Sequence, residues 1–171
     1  MSSLFSGTWT IDASRSLVWD EAQQKHVPDK VGSELITIED DGEVQDYEVL
    51  YGENPTIRMG YTARYDDPQY VPNAVREVIG DDSPESIDAF KKRINVDTSG
   101  ARARNFTVGS NYGLVRLHRV DERTHYRGMV NDAGEPLAMM LRRMAPDGDS
   151  YLASVLDPEG VLYRVRWFVR A

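Results

Sequence analysis

From Thr56 to Tyr65 the chain alternates strictly, with Ile57, Met59, Tyr61, Ala63 and Tyr65 on one side and Thr56, Arg58, Thr62 and Arg64 on the other. A repeat of two residues is the signature of an extended strand with one buried face, and it does not fit a helix. The same pattern recurs along most of the chain. Phe5 to Asp12, Leu35 to Glu39 and Val44 to Tyr51 read as strands, the last two joined by a turn at Asp40-Asp41-Gly42-Glu43. After Gly100, Val108 to Val120, Thr124 to Asn131, Pro136 to Met144, Tyr151 to Leu156 and Val161 to Arg170 follow one another, separated by Gly- and Pro-containing turns. Turn signals at spacings of about 10–14 residues mark an antiparallel meander. The count of about eight to ten strands predicts an all-β, up-and-down barrel, with an open sandwich as the alternative. No helix alternates with the strands, which argues against a parallel sheet.

The stretch from Asp66 to Gly100 interrupts this rhythm, and Pro68, Pro72 and Pro84 fall within it. Ser83-Pro84-Glu85 is a helix start: a capping serine, proline at the first helical position and an acid in the first turn. Ile87, Phe90 and Ile94 then recur at helical spacing. The reading is a short helix from about Pro84 to Ile94 inside a long connection, serving as a lid or as a plug.

Length and charge narrow the function classes. A chain of 171 residues fits one domain, 1–171, with a core that needs no staples. The formal net charge of -8 sets the average surface against nucleic acid and anionic membranes. With no cysteine there is no thiol nucleophile, disulfide or thiolate metal site. His26, His118 and His125 lack metal-ligand spacing, so no metal is expected. The first residues lack a secretory signal, and no apolar run reaches the roughly 18–20 residues of a membrane span, so the chain reads as cytoplasmic. No Gly-x-Ser-x-Gly elbow, phosphate loop or dinucleotide fingerprint is present, and no cofactor is implied.

Phe5-Ser6-Gly7-Thr8-Trp9 resembles the Gly-x-Trp opening of lipocalins and their relatives, the calycins. The resemblance implies a barrel of eight to ten strands in which the Trp closes one end and a basic residue from near the last strand packs over it. Arg164, Arg166 and Arg170 are the residues that could take that part, and Arg166-Trp167-Phe168 resembles the Arg-x-aromatic ending of the fatty-acid-binding branch. The Thr-Asp-x-x-Tyr motif of the kernel lipocalins is missing, and the Asp66 to Gly100 stretch departs from a plain meander.

A barrel of this size is either packed solid or encloses one small ligand. Tyr47, Tyr51, Tyr61, Tyr65, Tyr112, Tyr126 and Tyr163 all fall on predicted strands, and each brings apolar area with a polar tip. A cavity lined by Met59, Tyr61, Tyr65, Tyr112 and Met139 is expected, with Trp19 at its entrance or capping the core. The hairpin around Asp121-Glu122 carries the sharpest chemistry. With a two-residue loop, His118 pairs with His125 and Arg116 with Arg127, gathering two imidazoles and two guanidiniums on one face. Asp-Glu is a poor two-residue turn, and a longer loop shifts the pairing.

Three functions follow. The first is binding of a small, mainly hydrophobic or aromatic molecule, with or without an anionic group, for which Arg116 and Arg127 would be the charge partners. The second is a cofactor-independent isomerase, cyclase, lyase or dehydratase, with His118 or His125 as base and Tyr61 as proton donor. The third is an interaction protein with a solid barrel. A homodimer stays open.

Overall fold

Alternating apolar faces must be covered, and here one sheet covers itself by closing. In the computed structural model, which describes residues 2–171, the strands are β1 (Gly7–Asp20), β2 (Lys25–Pro28), β3 (Glu34–Asp40), β4 (Val44–Tyr51), β5 (Thr56–Arg64), β6 (Val71–Ile79), β7 (Asn111–Asp121), β8 (Thr124–Val130), β9 (Pro136–Met144), β10 (Ser150–Leu156) and β11 (Leu162–Arg170). Every neighbouring pair is antiparallel. From β3 to β11 each strand pairs with the next, and β11 returns to β1 through Trp9 opposite Arg170 and Ile11 opposite Phe168. Ten strands thus form a closed barrel, which leaves them no free edges. The exception is β2, an extra strand on the far half of β1, where Leu17–Asp20 pair with Lys25–Pro28.

Trp9 seals one end. It is fully buried against Tyr151, and its indole N–H donates to the Phe5 carbonyl at 2.9 Å. The Arg170 guanidinium lies 4.3 Å from the indole ring centre and donates to the carbonyls of Leu4 and Ser6. Gly7 explains its place in the motif: at φ +136, a Cβ there would meet Arg170 Nη1 at 2.5 Å. Arg170 is therefore the basic residue over the Trp, and Arg164 and Arg166 point into the barrel.

At the other end sits α1 (Pro84–Arg93), begun by Ser83, whose hydroxyl accepts from the Ser86 N–H. It is anchored through Phe90, which packs on Tyr51 and Phe106, while Ile94 just beyond is also fully buried. Among the described residues no helix is long and apolar enough to cross a membrane.

Two expectations are corrected. The connection from Asp66 to Gly100 contains a full barrel strand, β6, and the first strand runs past Asp12 to Asp20, where it forms a hairpin with β2. Pro72 is tolerated in β6 although it faces Leu114 of β7, because a register shift at Asn73/Ala74 loosens the ladder beside it.

Candidate ligand cavity

The barrel is hollow towards the α1 end, with a cavity of about 730 Å³ that reaches from a rim at Trp19, Lys92 and Pro158 down to Tyr47, Met59 and Arg127. This lies within the size range of small-molecule sites, about 300–1,000 Å³. Its wall is mixed, with Val49, Met59, Met129 and Met140 supplying apolar surface and tyrosines and arginines the polar groups.

Strand β11 sets the polar wall because its even residues face inward. Arg164 and Arg166 are both nearly fully buried, and their charge is answered locally. Arg166 Nε donates to Asp29 Oδ2 at 2.9 Å and Nη1 to Glu34 Oε2 at 2.7 Å. Arg164 Nε stands 3.7 Å from the same Asp29 oxygen. The Tyr51 hydroxyl accepts from both guanidiniums, at 2.9 and 3.1 Å. Burial pushes the Asp29 carboxyl up, but Arg166 and Arg164 outweigh it and hold the group below its ordinary value. For Glu34, burial wins and the carboxyl is raised despite Arg166. The Tyr51 phenol is pushed up to about 12 by burial, so it stays a neutral hydrogen-bonding group.

Arg127 on β8 is different. It is 6% exposed and lines the cavity, yet neither Nε nor Nη1 has a hydrogen-bond partner among the described residues. Its guanidinium carbon lies 5.5 Å from the Tyr47 ring centre and 5.6 Å from that of Tyr61, two rings that stack on each other. Of the buried acids, Asp29 and Glu34 are held by Arg166, and Asp40 accepts from Tyr65 and Gln45. Ring faces offer only about 2 kcal/mol to a desolvated cation, well short of an ion pair's compensation for burial.

The floor is a hydrogen-bonded layer under the cavity. Tyr61 donates to Gln45 Oε1 at 2.9 Å, Gln45 Nε2 donates to the Tyr65 hydroxyl at 2.8 Å, and Tyr65 donates to Asp40 Oδ2 at 2.7 Å. Arg142, fully buried, lies 4.9 Å from the Tyr47 ring centre. His125 lies beyond, packed edge-on against Phe5 and Tyr65.

The residues expected from sequence therefore separate into three groups. Trp19, Met59, Tyr112 and Arg127 line the cavity. Tyr61, Tyr65 and His125 are inward but belong to the floor or the sealed end. Arg116, His118 and Met139 are exposed on the outer wall. The cause for the first two is register. A bulge between Arg119 and Asp121 leaves Glu122-Arg123 as the loop, so His118 faces Tyr126 and His125 faces Arg119. A one-residue slip changes the face of each side chain, and the proposed pair of histidines is split by the barrel wall. His118 instead pairs with Asp66 outside. On β9 Ala138 and Met140 stand opposite the inward Met129 and Arg127, so Met139 between them faces out. Asn73 and Arg166 are cavity residues that the sequence reading did not select.

The His125 environment has a measurable consequence. Burial pushes its imidazole well below the usual 6.5, and the Arg142 and Arg127 guanidiniums push the same way. The folded protein keeps it neutral where the unfolded chain gains a proton. The stability linked to this group is complete above pH 6.5 and declines as pH falls below that value, by at most about 1.4 kcal/mol per pH unit. Urea unfolding between pH 7 and 5 is expected to show a shallower decline in His125→Phe than in the wild type. Equal slopes would show that His125 does not titrate this way.

No protein-family model matches the chain, and no curated protein matches it in sequence. Solved structures do match in shape. A fatty acid binding protein of Schistosoma mansoni, in complex with arachidonic acid, aligns at a TM-score of 0.55 and 11% identity over 99% of this chain and 97% of that one. The wild-type fluorescent protein UnaG aligns at 0.56 and 13%, over 98% of this chain and 97% of its own, and a point mutant of UnaG aligns at 0.55. The fold of this chain is thus an antiparallel β-barrel like that of these proteins, here with ten closed strands, one added strand and one short helix.

Proposed function

We propose that the protein binds a small amphipathic anion, with an apolar or aromatic body in the cavity and its charged group on Arg127. The observation that carries this reading is the Arg127 guanidinium itself, buried in the cavity wall with unmet donors and no carboxylate. A planar donor fork of fixed charge suits a carboxylate, which can accept two parallel bonds. The apolar wall at Met59, Met129 and Met140 suits a flexible hydrocarbon, since methionine adapts to irregular shapes. The likeness to a fatty acid binding protein in complex with arachidonic acid supports the same class of ligand. The candidate acid and base are not brought together, so binding without turnover is the reading preferred here.

Calorimetric titration with dodecanoate and with 1-dodecanol tests it. One molecule of dodecanoate should bind per chain, and the alcohol should bind at least about tenfold more weakly, because a charged hydrogen bond is worth roughly 1.5–3 kcal/mol. Failure of dodecanoate to bind, or equal affinity for both compounds, would end the proposal.

A further inference from the structure

A second unmet polar group shares the cavity with Arg127. Asn73 on β6 is 2% exposed, lines the cavity, and its Oδ1 has no hydrogen-bond partner. Its neighbours explain why. Gly113, opposite it on β7, has no side chain, and Met129 fills the space where a Cβ would stand. On the β5 side Ala74 faces Gly60, which places Asn73 beside Tyr61, but the Tyr61 hydroxyl is committed to Gln45. An apolar residue would be cheaper here. Burying an amide without a partner costs free energy unless something in the cavity completes it.

Arg127 and Asn73 both line the cavity, and Met129, two residues along β8 from Arg127, fills the space at Gly113 opposite Asn73, so one bound molecule can reach both. Arg127 offers only donors. An asparagine amide offers an acceptor that calls for a hydroxyl or N–H. We infer that the ligand carries a hydrogen-bond donor near its anionic group, as a hydroxy acid or an N-acyl amino acid does. This inference rests on the proposal that an amphipathic anion occupies the cavity. A plain acyl chain would leave the amide unpaired, and a donor on the ligand would complete it. Sites built around a buried hydrogen bond discriminate strongly against analogues that lack the group.

The test compares tetradecanoate, 3-hydroxytetradecanoate and N-dodecanoylglycine on the wild type and on Asn73→Leu. The wild type should prefer at least one of the two donor-bearing ligands by about tenfold or more over tetradecanoate. Asn73→Leu should lose that preference while binding tetradecanoate as well as the wild type or better. Thermal melting of the unliganded variant, expected at or above the wild-type temperature, shows that the barrel is intact. Equal binding of all three by the wild type, or a preference that survives Asn73→Leu, would overturn the inference and leave anion binding standing. Binding of none of them would remove the anion proposal itself.

Discussion

Replacing Arg127 by methionine is expected to weaken dodecanoate binding about thirtyfold or more, because truncating one partner of a buried charge pair costs roughly 2–5 kcal/mol. The same change should leave the empty barrel at least as stable as before. This combination is the diagnostic point. Most buried arginines cannot be removed without stranding an acid, whereas the buried acids here are held by other groups, Asp29 and Glu34 by Arg166 and Asp40 by Tyr65 and Gln45. Methionine keeps an unbranched stem against the Tyr47 and Tyr61 rings and removes an uncompensated cation. Arg127→Lys should fall between the two, keeping the charge and losing the two-pronged geometry. Calorimetry for affinity and thermal melting for stability separate the outcomes. If Arg127→Met binds dodecanoate like the wild type, the anion lies elsewhere. If it melts far lower, Arg127 is a structural residue with a partner not accounted for.

The elements that were legible in sequence are those whose side chains alternate without a fault. β4 runs from Val44 to Tyr51, as its alternation indicates, and the helix begins at the Ser83-Pro84 signal. Trp9 and Arg170 meet across the β1–β11 seam, as the Gly-x-Trp resemblance implies. What stayed hidden depends on bulges. β6 carries Pro72 and a register shift, which erase the alternation that would mark it as a strand, and Asn73 was concealed with it. The irregularity after Arg119 decides that Arg127 faces the cavity and Arg116 the solvent, although the two appear equivalent in sequence. No local residue pattern records such a slip, because its cause is the fit of one strand against its neighbours around the closed sheet. The cavity follows the same logic. Tyr61 and Tyr65 were expected to line it, but the chain of hydrogen bonds through Gln45 to Asp40 draws them into its floor.

The opposite response is expected from Arg166, the other prominent guanidinium of the interior. Arg166→Met should destabilise the fold by about 3–5 kcal/mol, since it leaves Asp29 and Glu34 buried without their main partner. For a chain of this length that corresponds to a melting temperature lower by roughly 6–20 °C. The pH dependence follows from which charge is stranded. With Arg166 present, its attraction holds Asp29 below its ordinary value. Without it, burial is opposed mainly by the more distant Arg164, so Glu34 moves further above its unfolded value of 4.5 and Asp29 rises from below 3.8. A carboxyl raised in the folded state takes up its proton more readily there, so the variant gains stability as pH falls towards those values. The gap between variant and wild type should therefore be widest near neutral pH and narrow on acidification. Adding Asp29→Asn and Glu34→Gln to Arg166→Met should recover most of the loss at neutral pH, because both stranded charges are then gone. Urea unfolding of the three proteins at pH 7 and pH 5 measures this. A loss that neither acid nor the added substitutions reduces would mean that Arg166 acts through packing against Tyr51, whose ring centre lies 5.1 Å from its guanidinium.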